Sequence, residues 1–312
     1  MRTRIAVIPR PPVLLDRERT IERALESLHE AADADASLLV FPEAYVPGYP
    51  TWIWRLRPGG DMRLSAEIHA RLRQNAVDPS AGHLDPLCDA ARKRCVTVVL
   101  GIHEVDSRFS GTTLFNSVVV IGPDGTIRNR HRKLVPTNPE RMVWGMGDGS
   151  GLRVVDTPAG KLGCLVCWES YMPLARYALY AQGMEIFVNP TWDSGEGCLV
   201  TLRHIAREGG CWVVGTATAL HSSDVPEDFP GREALFAADE WINDGDAVVV
   251  DPAGKVVAGP LHREKGILYA EVDPEAARRA RRSLDVAGHY ARPDVFSLSV
   301  NREPLPPVVF SG

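Results

Sequence analysis

Short apolar runs rich in β-branched residues alternate with segments of helical periodicity, and this alternation limits the folds open to the chain more than any other feature. Residues 5–8 read IAVI and predict a buried strand, apolar residues recur at helical spacing from 21 to 32, and residues 38–41 predict a second strand. Strands that alternate with helices favour an α/β layered fold. Further apolar runs predict strands at 96–102, 117–121, 162–166, 186–188, 212–215 and 247–250, with helices at 173–182 and 199–208.

The chain carries no sign of a domain boundary. Glycine, proline and charged residues are spread evenly over its 312 residues, and neither a repeat nor a linker-like run interrupts them. Turn sequences at 122–125 and 251–254 follow predicted strands, as hairpin turns do. We therefore expect one domain over residues 1–291, followed by an extended tail at 292–312, which contains four prolines and little periodicity.

The charge balance excludes several classes of partner. The chain has 35 Lys and Arg residues against 40 Asp and Glu residues, a net charge of -5, so we expect no nucleic-acid partner.

No stretch approaches the roughly 18 apolar residues of a membrane span, and the first residues do not resemble a signal peptide. Six cysteines are too few for a disulfide scaffold and suit free thiols in a reducing cytosol. We expect a cytoplasmic protein with no membrane partner.

The segment FPEAYVPGYP at 41–50 places an acidic residue, Glu43, just past the carboxyl end of a predicted strand. That end of the strands is where α/β sheets bind ligands. A solvated turn residue is the simpler interpretation of a single glutamate. Nearby aromatic residues favour a second interpretation, an apolar pocket that raises the pKa of the carboxyl, and these residues are Tyr45, Tyr49, Trp52 and Trp54.

A basic segment, RHRKLVP at 130–136, contains Lys133, one of only five lysines in the chain. Such a cluster is most often a solvated or phosphate-binding face. The glycines that follow at 145–149 match neither the P-loop spacing nor a strand-GxGxxG-helix order, so we predict no phosphate loop. Any functional role for Lys133 therefore depends on its partners.

A strand, a tight turn and a helix are predicted in succession across GCLVCWESYMP at 163–173. We expect the apolar strand to end at Cys167, and Pro173 suits the first turn of the following helix. This geometry exposes a nucleophile while backbone N–H groups face a developing anion. The other interpretation of a cysteine is a small buried hydrophobe, which we prefer for the remaining five cysteines.

Two other kinds of site could use the thiol, a metal centre and a Cys-His catalytic pair. Metal-ligand spacing is absent, because the nine histidines form no HxH or HxxxH pair and the chain has no second CxxC, so we expect no metal. A Cys-His pair of the protease type stays open, with His131, His204 or His289 as the base.

Taken together, these segments resemble the nitrilase superfamily, the carbon-nitrogen hydrolases that use a Glu-Lys-Cys triad. The resemblance is closer to the true nitrilase branch than to the amidase branches, and it extends from about residue 4 to about residue 301. The motifs that carry it are FPEA at 41–44, HRKL at 131–134, CWE at 167–169, RHIA at 203–206 and GHYARPD at 288–294.

The resemblance implies an αββα sandwich whose subunits pair into an αββα-αββα homodimer, which family members extend into larger homo-oligomers, including spirals. Carried over by motif position, Glu43 is the general base, Lys133 the cationic stabiliser and Cys167 the nucleophile. Glu140 falls where the family has a second glutamate that helps to position the reacting groups. The resemblance implies neither a metal nor an organic cofactor.

The implied activity is that of a nitrilase, which hydrolyses an organic nitrile to a carboxylic acid and ammonia through a cysteine thioimidate and thioester. Cyanide hydrolysis and amide or carbamoyl hydrolysis on the same triad are alternatives. A catalytically silent assembly protein is a third, against which the intact triad argues. We expect substrate contacts from six aromatic residues, with core packing as the alternative role, and they are Trp168, Tyr45, Tyr49, Trp52, Trp54 and Trp192.

Three features depart from the family pattern. Ser170 stands where many nitrilases have asparagine, Cys164 replaces a usual small residue, and the C-terminal tail is short for the branch. None of them involves the three implied catalytic residues. The first bears on the shape of the pocket and the last on assembly.

Overall fold

Two β-sheets pack face to face in the computed structural model, which describes residues 2–107, 110–306 and 308. The strands in chain order are β1 (Thr3–Val7), β2 (Leu38–Val40), β3 (Thr97–Val105), β4 (Leu114–Ile121), β5 (Ile127–Arg132), β6 (Val155–Thr157), β7 (Gly160–Cys164), β8 (Ile186–Pro190), β9 (Trp212–Thr216), β10 (Ala219–His221), β11 (Trp241–Val250), β12 (Val256–His262) and β13 (Leu268–Val272).

The two sheets are built on similar plans, with a parallel centre and antiparallel edges. The first sheet has the order β13-β1-β2-β3-β4-β5, in which β1, β2 and β3 run parallel. The second has the order β10-β11-β9-β8-β7-β6, in which β7, β8 and β9 run parallel, and β12 pairs with β11. The turns predicted at 122–125 and 251–254 join β4 to β5 and β11 to β12, so both hairpin predictions are confirmed.

Helices cover the outer face of each sheet. The helices in chain order are α1 (Arg17–Asp33), α2 (Met62–Gln74), α3 (Asp85–Arg94), α4 (Pro173–Tyr180), α5 (Glu196–Gly209), α6 (Arg232–Leu235) and α7 (Pro274–Arg281). Apolar residues of α1 and α3 pack on the first sheet, and those of α4 and α5 pack on the second. The layers therefore follow the order αββα, as the family resemblance implies.

Apolar side chains fill the space between the two sheets and the space beneath the helices on each outer face, and alternation along each strand explains this arrangement. Ile5 and Val7 face inward and share a cluster with Ile186 and Val188 of the opposite sheet. Ala6, on the other side of β1, packs in the cluster formed with α1 and α3. Because successive strand side chains point to opposite faces and both faces are covered, the strand reads as a continuous apolar run.

The chain beyond α7 forms no further helix or strand in the residues that the structure describes. The backbone N–H of Leu305 donates to Asp148 Oδ2 at 3.0 Å, and Asn301 O lies where a Cβ on Gly149 would come within 2.0 Å. Part of the segment therefore lies against the body of the protein. The tail predicted at 292–312 includes residues 307 and 309–312, which lie outside the described residues, and the boundary at 291 stays a prediction.

None of the helices in the described residues is long and apolar enough to cross a lipid bilayer.

Candidate active site

Glu43 lies in the loop that leaves the carboxyl end of β2, and its side chain is buried. The loop crosses β3 at Gly101, where a Cβ would lie only 2.2 Å from Pro42 O, so the glycine permits the close approach. Glu43 Oε1 accepts hydrogen bonds from Asn116 Nδ2 at 2.7 Å and from Lys133 Nζ at 2.8 Å. Its second oxygen, Oε2, has no hydrogen-bond partner within the described part of the chain.

Lys133 follows directly after β5 and is buried beneath the surface of the site. Its backbone N–H donates to Asn116 O at 2.7 Å, which fixes the end of the strand. Its ammonium donates to Glu43 Oε1 at 2.8 Å and to Glu140 Oε2 at 2.7 Å. Lys133 therefore joins two carboxylates, and the predicted association of Glu43, Lys133 and Glu140 is present in the structure.

Glu140 belongs to a short 3-10 helix, Asn138–Met142, and its carboxylate is held from three sides. Thr137 N–H donates to Oε2 at 2.7 Å, and Tyr49 O–H donates to Oε1 at 2.7 Å. With Lys133 as the third donor, the carboxylate is fully engaged. Glu140 is thus placed to hold Lys133 rather than to exchange protons.

Cys167 is the first residue of another short 3-10 helix, Cys167–Tyr171, and has a positive φ of 54°. The preceding strand, β7, ends at Cys164, so the expectation that it ends at Cys167 is wrong. The turn is held by Asn189 Nδ2, which donates to Leu165 O at 2.9 Å and to Cys167 O at 3.1 Å. A residue with a strained, left-handed backbone conformation between a strand and a helix makes a sharp turn, and its side chain projects from that turn as in a nucleophile elbow.

The three groups perturb one another's protonation. Burial raises the pKa of Glu43 to about 7, with Glu140 adding to the rise and Lys133 opposing it. Burial also raises the pKa of the Cys167 thiol, as does Glu43, while Lys133 lowers it. Burial lowers the pKa of Lys133, but Glu43, Cys167 and Glu140 outweigh burial, and the net pKa is raised. At neutral pH the site therefore holds an ammonium, a thiol and a carboxyl group poised to accept a proton.

Glu169 plays a part that sequence reasoning missed. Its buried carboxylate accepts Leu134 N–H at Oε1 and Val166 N–H at Oε2, both at 2.7 Å, and the ring of His131 lies 3.0 Å from Oε2. Leu134 follows Lys133 and Val166 precedes Cys167 in the sequence. One side chain thus joins the segment that carries the cation to the segment that carries the thiol.

The thiol opens into a cleft of about 340 Å³. Tyr49 stacks on Trp192 with ring centroids 4.3 Å apart, and Trp54 Nε1 donates to Tyr49 Oη at 3.1 Å. Four of the six predicted aromatic contacts line the cleft, and its full lining is Tyr49, Trp54, Thr137, Glu140, Cys167, Trp168, Trp192, Asp193, Ser194, Trp241, Ile242, Asn243 and Asp244.

The structure does not bring the other two aromatic residues to the cleft. Tyr45 is fully buried and packs on Phe41, with ring centroids 5.0 Å apart. Trp52 is buried and packs on Phe229 at 5.6 Å. Both rings contribute to cores behind the site, so the prediction of substrate contacts at Tyr45 and Trp52 is corrected to a packing role.

Trp241, by contrast, is a cleft residue that sequence reasoning missed, because β11 lies far from the motifs along the chain. Thr191 was also missed as a site residue, although it directly follows β8, the neighbour of β7. Burial raises the pKa of the Cys167 thiol, and the Thr191 side chain opposes that rise.

The alternative histidine bases do not line the cleft. His131 faces Glu169, His204 lies 3.2 Å from Glu208, and His289 is exposed near Ser283 O. The structure therefore does not support a Cys-His pair. Among the described residues, no group of three His, Cys, Asp or Glu side chains could hold a metal ion.

The two sequence departures lie beside the site rather than in the cleft. Cys164 is buried in the core between the sheets. Ser170 is buried in the 3-10 helix after Cys167, and its carbonyl accepts a hydrogen bond from Arg176 Nη1 at 2.5 Å. Neither side chain lines the cleft among the described residues.

Known proteins resemble the chain along nearly its whole length. A family model for carbon-nitrogen hydrolases matches residues 4–282. An aliphatic nitrilase of Sinorhizobium fredii is 39% identical over 98% of each chain, and a bifunctional nitrilase/nitrile hydratase of Lupinus angustifolius is 37% identical over 99% of this chain and 89% of that protein.

Solved structures share the fold. A branch 10 member of the nitrilase superfamily from Saccharomyces cerevisiae superposes with a TM-score of 0.71 at 20% identity, covering 93% of this chain and 96% of that one. The sequence matches cover nearly the whole chain, and the architecture agrees with them. The chain therefore belongs to the carbon-nitrogen hydrolase family, and within it to the nitrilase branch.

Proposed function

We propose that this protein is a nitrilase that hydrolyses an organic nitrile to a carboxylic acid and ammonia, with Cys167 as the nucleophile. The observation that carries the proposal is the arrangement at the cleft floor. A buried thiol opens into an aromatic cleft, beside a lysine that joins Glu43 to Glu140. The names of the relatives that match over the whole chain support the same activity.

The first step forms a carbon-sulfur bond. Glu43 accepts the thiol proton as the Cys167 sulfur attacks the nitrile carbon, because a neutral thiol with a raised pKa is a poor nucleophile by itself. A carboxyl with a pKa of about 7 is well matched to that proton transfer. The nitrile nitrogen takes up the proton, and the product is a thioimidate.

Two waters complete the reaction. Glu43 takes a proton from the first water as its oxygen adds to the thioimidate carbon and passes that proton to the nitrogen, and the tetrahedral intermediate expels ammonia to leave a thioester. The second water releases the carboxylic acid and returns the proton to sulfur. Lys133 and the backbone N–H of Trp168 stabilise the developing negative charge, since donors in the first turn of a helix lack an intrahelical partner.

The test is ammonia release from a nitrile and from its matching amide, assayed side by side with product analysis. A nitrilase releases ammonia from the nitrile and forms the acid. Turnover of the amide alone assigns the site to amide or carbamoyl hydrolysis, and turnover of cyanide alone assigns it to cyanide hydrolysis. The Cys167→Ala variant is the control that separates enzymatic release from background.

We also propose that the protein forms a homodimer or a larger homo-oligomer through its outer helices. Leu174 of α4 is 66% exposed and Val200 of α5 is 53% exposed. Apolar side chains exposed to this extent on two outer helices support an interface with another subunit at these helices. Sedimentation velocity tests the assembly, and a monomer at micromolar concentration would contradict it.

We further propose a cytoplasmic location, which is supported by six free cysteines.

A further inference from the structure

Acidic side chains outnumber basic ones in the described lining of the cleft. Three carboxylates line it, those of Glu140, Asp193 and Asp244, whereas no Lys, Arg or His of the described residues does. Lys133 pairs with Glu140 at 2.7 Å and also with Glu43, which does not line the cleft, and Arg263 pairs with Asp244 at 2.8 Å. Asp193 forms no ion pair within residues 2–107, 110–306 and 308. Among the carboxylates of the described cleft lining, Asp193 is therefore the one without a cationic partner.

Asp193 is held in place close to the nucleophile. Its half-buried carboxylate accepts a hydrogen bond from Trp168 Nε1 at 3.0 Å, and Trp168 directly follows Cys167. Its backbone N–H donates to Thr191 Oγ1 at 2.9 Å, and the Thr191 hydroxyl contacts the Cys167 thiol. A carboxylate fixed in this way cannot swing away from a ligand as a mobile surface side chain does.

We propose that Asp193 selects against nitriles that carry a carboxylate, so that the enzyme acts on neutral or cationic nitriles. The inference rests on the nitrile hydrolysis proposed above and names its substrate class. Two like charges several ångström apart, at the effective dielectric constant of about 20 found near protein surfaces, repel enough to reduce binding by roughly 10- to 100-fold. No cation of the described cleft lining offsets that repulsion.

The same charge has two consequences for products. A carboxylate formed in the cleft is repelled by Asp193, which favours its release. A dinitrile stops at the cyano acid, because the product of the first hydrolysis is itself a nitrile that carries a carboxylate. Hydrolysis of the one nitrile group that reacts consumes two waters and releases one ammonia.

The direct test compares an ω-cyanopentanoate with its N,N-dimethylamide at pH 8 and low salt. We expect the wild-type kcat/KM to favour the neutral nitrile by about 10-fold or more, and Asp193→Asn to bring the ratio toward one. Asparagine keeps an oxygen for the Trp168 indole, and any general damage to the nucleophile cancels in the ratio. The matched control is Asp156→Asn, which removes the same charge from an exposed carboxylate outside the cleft and is expected to keep the wild-type ratio.

A second readout does not depend on nitrile turnover. Iodoacetamide and iodoacetate alkylate the same thiol but differ in charge, and peptide mass spectrometry reports the adduct on Cys167. The exposed Cys95 in the same molecule, which does not line the cleft, serves as the internal reference for the two reagents. We expect Cys167 to discriminate against iodoacetate about 10-fold more than Cys95 does, and Asp193→Asn to remove the difference.

These readouts separate the two proposals. A wild-type preference that survives Asp193→Asn in both assays overturns the charge selection. Equal alkylation of Cys167 by both reagents, after correction by Cys95, overturns it as well. If no nitrile is hydrolysed while Asp193 still controls alkylation, the proposed function fails and the charge selection stands.

Discussion

Substitution of Glu169 by glutamine tests whether one buried carboxylate fixes the distance between the cation and the thiol. The side chain accepts two backbone N–H groups at 2.7 Å, from Leu134 and Val166, and faces His131. Burial alone raises the pKa of Glu169, but His131 and the two N–H groups outweigh it and lower the pKa, so the group is a carboxylate at neutral pH.

Glutamine has one oxygen in place of two and turns an NH₂ donor toward one of the two N–H groups. Hydrogen bonds to charged groups contribute about 1.5–3 kcal/mol each, and an orphaned buried donor costs about 1–3 kcal/mol. We therefore expect Glu169→Gln to lower the free energy of unfolding by about 2–4 kcal/mol. If the Cys167 segment shifts by about 1 Å, kcat falls by about 100-fold, which corresponds to about 2.7 kcal/mol.

Urea denaturation and steady-state kinetics measure the two effects separately. The matched control is Glu185→Gln, since the buried Glu185 carboxylate also accepts a backbone N–H, from Lys161 at 2.9 Å, and pairs with Arg278 at 2.7 Å. We expect that variant to lose stability but to keep kcat. Wild-type kcat in Glu169→Gln, or an equal loss of kcat in both variants, would refute the positioning role.

Three further predictions concern the catalytic groups. Cys167→Ala abolishes ammonia release and leaves the circular dichroism spectrum unchanged, and activity above background would place the nucleophile elsewhere. Glu43 must be ionised to accept a proton, so kcat/KM rises with pH through the pKa of about 7. The Glu43→Gln variant lowers kcat at least about 100-fold and abolishes this rise of kcat/KM with pH. If the rise is unchanged in the variant, it belongs to the titration of another group. Lys133→Arg does not restore the activity lost in Lys133→Ala, because a planar guanidinium does not fit between two carboxylates placed for an ammonium; recovery of kcat would contradict this geometry.

The proposed catalytic residues could be found from the sequence through the family motifs, because local position alone leaves each of them with a purely structural interpretation as well. Glu43 follows β2 and Lys133 follows β5 in the first sheet, while Cys167 lies three residues past β7 in the second. Apolar runs locate the strands but not always their ends, since β7 ends three residues before Cys167, and the motifs identify the family. The distances between the three groups depend on how the two sheets pack, which no local pattern encodes.

The cleft-lining residues could be predicted only in part, for the same reason. Tyr45 and Glu43 are two residues apart, yet one packs in a core and the other enters the site, because the backbone between them turns at Ala44 with a positive φ of 48°. Trp241 reaches the cleft from β11, far along the chain from every motif. Glu169 contacts backbone atoms of Leu134 and Val166, and a backbone partner leaves no mark in the sequence.

The central claim is that Cys167 forms a covalent bond to the nitrile carbon during turnover. Acid quenching of the enzyme in the steady state with a nitrile, followed by peptide mass spectrometry, tests it directly. We predict that the peptide containing Cys167 gains the mass of the substrate acyl or imidoyl group, and that the gain is absent from Cys167→Ala. Turnover with an unmodified Cys167 peptide, or with the same adduct on another cysteine, would contradict the account.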